Sequence, residues 1–189
     1  MSETVPQPHG RDAWRKLPRE TSKRSAQERI SDFLEIHGTL PEAAAIEQAS
    51  RCIQCPNPSC VSGCPLCNPI PQWMQLTAEG RFLEAAAVLG SAGSLAEICA
   101  RLCPADHLCE HTCILDSVGD AVSIADLERF LADYAANHQA EQAVTAPPNG
   151  FKVAVVGSGP AGLACADDLA RQGCSVTVYF PMRNMKQRI

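Results

Sequence analysis

Cys52-Ile-Gln-Cys55-Pro-Asn-Pro-Ser-Cys60-Val-Ser-Gly-Cys64-Pro65 opens a cysteine-rich region that closes on Cys99-Ala-Arg-Leu-Cys103-Pro104-Ala-Asp-His-Leu-Cys109-Glu-His-Thr-Cys113. With Cys67, this region holds nine of the chain's eleven cysteines. Thiolates are soft anionic ligands, suited to iron–sulfur clusters and to zinc. Their concentration in two groups points to metal chemistry rather than to packing.

The spacing suggests two cubane clusters. Each needs about four protein ligands. Cys52, Cys55 and Cys60 can wrap one cluster on a short loop, while Cys64, followed by Pro65, projects onward. In ferredoxin-type runs the last cysteine before a proline ligates the other cluster. The second group mirrors this with a Cys103-Pro104-x4-Cys109 turn and Cys113 four residues later. An exchange of ligands would set two clusters side by side, as stepwise electron transfer requires.

These residues carry a resemblance. The pattern Arg51-Cys52-x2-Cys55-x4-Cys60-x3-Cys64-Pro65, then Ile70-Pro71, Cys103-Pro104-x4-Cys109-x3-Cys113 and Ile124-x3-Glu128, resembles the N-terminal iron–sulfur domain shared by the small subunit of NADPH-dependent glutamate synthase and dihydropyrimidine dehydrogenase. The resemblance implies one [4Fe-4S] cluster on Cys52, Cys55, Cys60 and Cys113. It implies a second on Cys64, Cys103, Cys109 and a non-cysteine oxygen ligand, which falls on Glu128. Read without it, Glu128 is a solvated carboxylate beside Arg129 in an ion pair. Two zinc sites on the same thiolates, with His107 or His111 filling gaps, form the rival metal reading. A disulfide framework is disfavoured, since no secretory signal is visible and cytosolic thiols stay reduced.

Composition narrows the class. Hydrophobic residues make up 46% of the 189, ordinary for a soluble globular protein, but aromatics only 5%, so large core anchors are few. Bound clusters can supply part of the missing stability. A net charge of -5 argues against a nucleic-acid partner. No apolar run reaches membrane-span length and no signal core is visible. The expected location is cytoplasmic.

The fold class expected is mainly α: an α-helical, ferredoxin-like two-cluster domain followed by an incomplete Rossmann-type β-α-β unit that binds FAD. Residues 1–25 read as a basic, flexible arm carrying Arg11, Arg15, Lys16, Arg19, Lys23 and Arg24; the alternative is docking on an acidic partner surface. Residues 26–140 form the iron–sulfur domain. In it, Ser25 caps a helix reaching about His37, with Ile30, Phe33 and Leu34 on its apolar face. Further helices are expected from Pro41 to Ala49, from Pro71 to near Gly80, over 82–89 and over 95–102. A last one starts at a capping-box-like Ser123/Asp126 pair and buries Ile124, Leu127, Leu131 and Tyr134. Cys67 and Cys99 fall outside the ligand count and are expected to pack, as are Cys165 and Cys174.

Residues 141–150 read as a Pro/Gly linker. Over 151–179 the pattern changes to strand, Gly157-Ser158-Gly159-Pro160-Ala161-Gly162, alanine-rich helix, Gly173, strand. That context turns a weak glycine motif into a dinucleotide fingerprint. Gly157 permits the turn, Gly159 lets backbone approach a pyrophosphate, and Gly162 lets the helix pack. Ser158, Pro160 and Ala161 bring the helix N-terminus to the phosphates. The run through Leu163 resembles the FAD-binding turn of the same family.

The resemblance then fails. The second strand ends at Tyr179-Phe180, where a ribose-binding acid is expected. The 180–189 tail continues no pattern, the sheet edge after Tyr179 is left open to pairing, and the family's NAD(P)H domain is missing. A truncated member, holding FAD weakly or not at all, is the expectation. The functional expectation is the electron-transfer module of an NAD(P)H-dependent flavin and iron–sulfur oxidoreductase. Its partner would be a larger flavin/iron–sulfur catalytic subunit or the missing C-terminal half, with no nucleic acid and no membrane. No residue is a candidate catalytic acid, base or nucleophile. The rival is a non-enzymatic two-cluster docking subunit with a vestigial nucleotide fold.

Overall fold

The structure, a computed structural model, describes residues 12–138, 146–179 and 186–188. Apart from residues 93–95, the chain divides into two compact units at Ala140–Glu141. The first is helical: α1 (Ala13–Lys16), α2 (Ala26–Ser31), α3 (Glu42–Ser50), α4 (Ser59–Ser62), α5 (Ile70–Ala78), α6 (Phe82–Gly90), α7 (Ala96–Leu102) and α8 (Ile124–Asn137). The second comprises β1 (Lys152–Val156), α9 (Pro160–Arg171), β2 (Ser175–Tyr179) and β3 (Lys186–Arg188).

The core of the helical unit lies among α3, α5, α6 and α8. Ile124, Leu127 and Leu131 recur along α8 at the spacing of one helix face, and all are buried. Phe82 meets the edges of Phe130 and Tyr134, each at 4.9 Å between ring centroids. Trp73 is fully buried, and its indole N–H donates to Asn68 Oδ1 at 2.9 Å, so its polar atom has a partner. At the end of α5, Gly80 adopts φ +74°. Arg81 N–H then bonds Leu76 O and Gly80 N–H bonds Thr77 O, a Schellman closure that turns the chain into α6.

The N-terminal segment departs from expectation. From Asp12 on it is tied down rather than a free arm. Ala13 is buried, Trp14 packs on the core, Gln48 Nε2 donates to Pro18 O at 2.9 Å, and Ser22 Oγ bonds Asp126 Oδ1. Arg19 and Arg24 meet acids of their own chain, Glu110 and Asp32. Residues 1–11, Arg11 included, lie outside the described residues.

Helix α2 stops at Ser31, well short of His37. Its Ser25–Glu28 capping box forms as the pattern suggests. Asp32 ends it: Oδ1 accepts Leu34 N–H at 3.0 Å, and Arg24 clamps both carboxylate oxygens. A carboxylate that bonds nearby backbone competes with the helix. Ile30, Phe33 and Leu34 are consequently exposed instead of forming a buried face.

The Ser123/Asp126 cap of α8 does not form. Ser123 Oγ instead accepts from Arg19 Nε at 3.1 Å and donates to Glu20 O at 2.7 Å. The free amide at the start of α8, Ala125 N–H, is taken by Glu110 Oε1 at 3.0 Å.

In the second unit β1 and β2 are parallel, with Val153 opposite Val176 and Val155 opposite Val178. Ala166 of α9 packs with Val176 and Val178 in a small core. The tail does continue the sheet: β3 pairs antiparallel with β2, Val178 opposite Gln187. The edge of β2 expected to be open is therefore covered. Residues 139–145, which include 141–145 of the expected linker, and Phe180 with its neighbours to 185, lie outside the described residues. No described helix is long and apolar enough to cross a membrane.

Candidate iron–sulfur centres

The first thiol group forms where α3 ends. Arg51 closes α3, and the chain turns through Cys52 and Cys55 to the single-turn helix α4, which carries Cys60. Pro56 and Pro58 keep the segment from continuing as helix. Cys113 comes from far along the chain, at the entry to a 3-10 turn over Ile114–Ser117. Cys52, Cys55, Cys60 and Cys113 together line one small cavity of about 20 Å³, with Leu115, Val122 and Pro71.

The thiols register one another electrically. Burial, followed by the neighbouring Cys52, Cys113 and Cys55 sulfurs, pushes the Cys60 thiol up to about 12. Burial raises Cys52 to about 11, opposed by a bond from Gln54 backbone N–H. The Gln54 side-chain amide also lies 3.6 Å from Cys52 Sγ, and Gln54 sits at φ +53°, uncommon for a residue with a side chain. Such N–H donors toward sulfur help set a cluster's potential.

The second group gathers where α7 gives way to the Cys103-Pro104 turn. Cys103 and Cys109 both feel Glu128 and Cys64, after the larger effect of burial. Cys109 is driven up to about 12. Glu128, on α8, is raised to about 7 by burial alone. The ion pair with Arg129 is absent: Arg129 turns to Ala100 O at 3.0 Å and to Asp126. Among the described residues no hydrogen bond or salt bridge holds the Glu128 carboxylate.

Cys99 was expected only to pack. It stands one helical turn before Cys103 and feels Cys103, Glu128 and Cys64, which with burial raise it to about 11. Its i, i+4 relation to Cys103, just past the end of α7, was the signal available in the sequence. Cys67 is exposed, at φ +49°.

The two groups are joined at Thr112. Ser59 Oγ donates to Thr112 O, and a Cβ on Gly63 would come within 2.2 Å of Thr112 Oγ1. The loop bearing Cys60 and Cys64 is thus seated against the loop bearing Cys109 and Cys113.

All eleven cysteines are free thiols. Among the described residues no three His, Cys, Asp or Glu side chains converge on a point fit for a single metal ion. The donor set suits clusters: soft, mostly half-buried, crowded thiols whose ionised form needs a compensating cation.

In the second unit, Gly157 lies at φ +112°. A Cβ on Gly162 would strike Gly157 O at 2.1 Å, so both positions require glycine. Beyond Gly159 nothing lies within 4 Å of an added Cβ, leaving open approach to the N-terminus of α9. Ser158, Pro160 and Ala161 lie at the same turn.

A cysteine-rich helical domain followed by a strand–glycine turn–helix–strand unit defines an iron–sulfur protein with a dinucleotide-type fold. The family described as dihydropyrimidine dehydrogenase domain II, 4Fe-4S cluster, matches residues 29–140, and the chain belongs to it. An NAD(P)-binding Rossmann-like domain matches residues 155–179. The chain is 41% identical over 158 residues to the glutamate synthase [NADPH] small chain of Escherichia coli, covering 83% of this chain and 34% of that protein. It is 43% identical over 159 residues to the corresponding small chain of Azospirillum brasilense, covering 83% and 33%. The chain thus spans about a third of the length of these relatives.

Proposed function

We propose that the chain is the electron-transfer module of an NAD(P)H-dependent flavin and iron–sulfur oxidoreductase of the glutamate synthase small-chain kind, working in the cytoplasm. One [4Fe-4S] cluster would be held by Cys52, Cys55, Cys60 and Cys113. A second would be held by Cys64, Cys103, Cys109 and Glu128. The observation that carries this reading is the gathering of Cys113 with Cys52, Cys55 and Cys60 around one cavity, which sequence order alone does not produce. The ligand exchange it implies, Cys64 out and Cys113 in, sets the two sites next to each other. When bound, the clusters supply one-electron storage at two adjacent points; the chain holds them, limits water and directs N–H groups at sulfur.

The Gly157–Gly162 turn supports dinucleotide binding at the start of α9, and FAD is the nucleotide proposed for it. Electrons would pass from that flavin through the clusters to a larger flavin or iron–sulfur partner. The remaining two-thirds seen in the relatives is the proposed source of the NAD(P)H site.

The test is metal, acid-labile sulfide and flavin content of the chain purified without oxygen, with EPR of the reduced protein. The expected result is about eight irons and eight sulfides per chain, the content of two cubanes. Zinc without sulfide would sink the proposal. Sulfide at this level with no flavin would turn the second unit into a docking element.

A further inference from the structure

Arg51 is 2% exposed, yet among the described residues no carboxylate bonds it. Its Nη1 donates to Ala121 O at 3.0 Å and its Nη2 to Asp120 O at 2.8 Å, both neutral carbonyls. Its Nε is buried with no partner. Burial disfavours its charge most; the exposed Asp120 carboxylate favours it, the Arg19 charge opposes it, and the Cys113 sulfur favours it. A buried guanidinium without a counter-charge is costly. In the chain it immediately precedes Cys52, a wall of the first cavity.

The second site also has a buried arginine near it, Arg129, but there the guanidinium stands 3.9 Å from the Asp126 carboxylate while donating to Ala100 O at 3.0 Å. Glu128 faces its thiols, and Glu110 adjoins Cys109. Glu110 is paired with Arg19, and Glu128, as the fourth ligand, takes the place of a thiolate rather than adding a charge.

Four thiolates make a cluster site anionic, and each added electron makes it more so. A buried positive charge nearby favours the reduced form, and more so where no carboxylate pairs with it. We propose that Arg51 is the charge-compensating residue of the first site, setting the reduction potential of the cluster there above that of the second. The reduced module then holds its first electron at the Cys52–Cys113 site. This rests on the two-cluster reading above and adds to it an order of filling and the residue that sets it.

The test uses the full chain, purified without oxygen, in three forms: unchanged, Arg51→Gln and Arg51→Lys. Iron and sulfide are counted first, then each form is titrated with a chemical reductant and followed by EPR. The first site's signal is identified as the one that disappears in Cys113→Ser. In the unchanged chain that signal is expected to appear at the higher potential. Arg51→Gln is expected to lower its potential while leaving the other signal in place, and Arg51→Lys to keep it near the original. If Arg51→Gln loses iron and Arg51→Lys keeps it, charge is needed to retain the cluster at all, which supports the proposal. An unshifted potential in Arg51→Gln with iron intact overturns it. Loss of iron from both variants also overturns it and leaves Arg51 as a tie for the 120–121 backbone. Absence of sulfide from the unchanged chain would instead remove the two-cluster reading beneath it.

Discussion

At the scale of single residues, the decisive one is Cys113. Its sequence neighbours are Cys109 and Thr112, but its sulfur lies with Cys52, Cys55 and Cys60. Replacing Cys113 with serine is expected to cost about four irons per chain, the content of one cubane, and to leave one EPR signal of two. Cys109→Ser should remove the other signal. If both variants lose the same signal, the pairing is wrong. Gly63 is the second such residue. Its added Cβ in Gly63→Ala would press on Thr112 Oγ1, Cγ2 and Cβ, at the seam between the loops. Overpacking of this kind costs about 1–3 kcal/mol. A lowered midpoint in urea is expected, together with partial iron loss; an unchanged midpoint would show that Thr112 yields freely. The cysteines themselves were legible in the sequence because their spacing is chemical. Arg51's lack of an acidic partner among the described residues was not, because its Nη1 and Nη2 are taken by the carbonyls of Ala121 and Asp120, some 70 residues away.

At the scale of elements, local patterns were legible where one segment settles its own structure. Helices α3, α5, α6 and α7 begin and end close to where Pro41, Pro71, Gly80 and the apolar spacing put them. The patterns misled where a distant side chain intervened. Asp32, clamped by Arg24, stops α2, and Glu110 takes the place of the Ser123/Asp126 cap on α8. Glu110 also pairs with Arg19 at 2.5 Å, so one buried carboxylate joins the N-terminal segment, the second cysteine loop and α8. Glu110→Ala removes both bonds and is expected to lower stability by about 2 kcal/mol, the scale for hydrogen bonds to charged groups. Glu84→Ala, which breaks an exposed pair with Arg81, should stay within about 1 kcal/mol. Equal effects in urea denaturation would refute the capping role. On α2, bonds from Ser25 side chain and backbone hold the Glu28 carboxyl below its ordinary value. Its folded value is thus depressed, so its stabilisation is present above the unfolded pKa and fades as pH falls through the folded one. A carboxyl titration by NMR should show a low Glu28 midpoint that moves back up in Ser25→Ala; no movement would remove the hydroxyl's share.

At the scale of the whole molecule, the two units differ in what holds them. Among the described residues the helical unit has most of the buried apolar side chains, and the second keeps only Ala166, Val176 and Val178 fully inside. Phe151 and Val156, flanking and ending β1, remain largely exposed. Two parallel strands, one helix and a short antiparallel strand cannot cover their own apolar surface. The helical unit, for its part, surrounds its thiols with few aromatic anchors, so a metal bound only to the folded form should supply much of its stability. Chelation of iron should therefore act unequally. In hydrogen exchange on the loaded chain, amides of α3, α5 and α8 are expected to be the most protected and those of β1 and β2 the least. After iron removal, protection in the cysteine loops and in α3 and α8 should fall steeply, while β1 and β2 barely change. That outcome would make the clusters structural as well as electronic parts of the helical unit. Unchanged protection of α3 and α8 without iron would mean that the Trp73–Phe82–Phe130 core carries the fold alone and that the cysteines serve the electrons only.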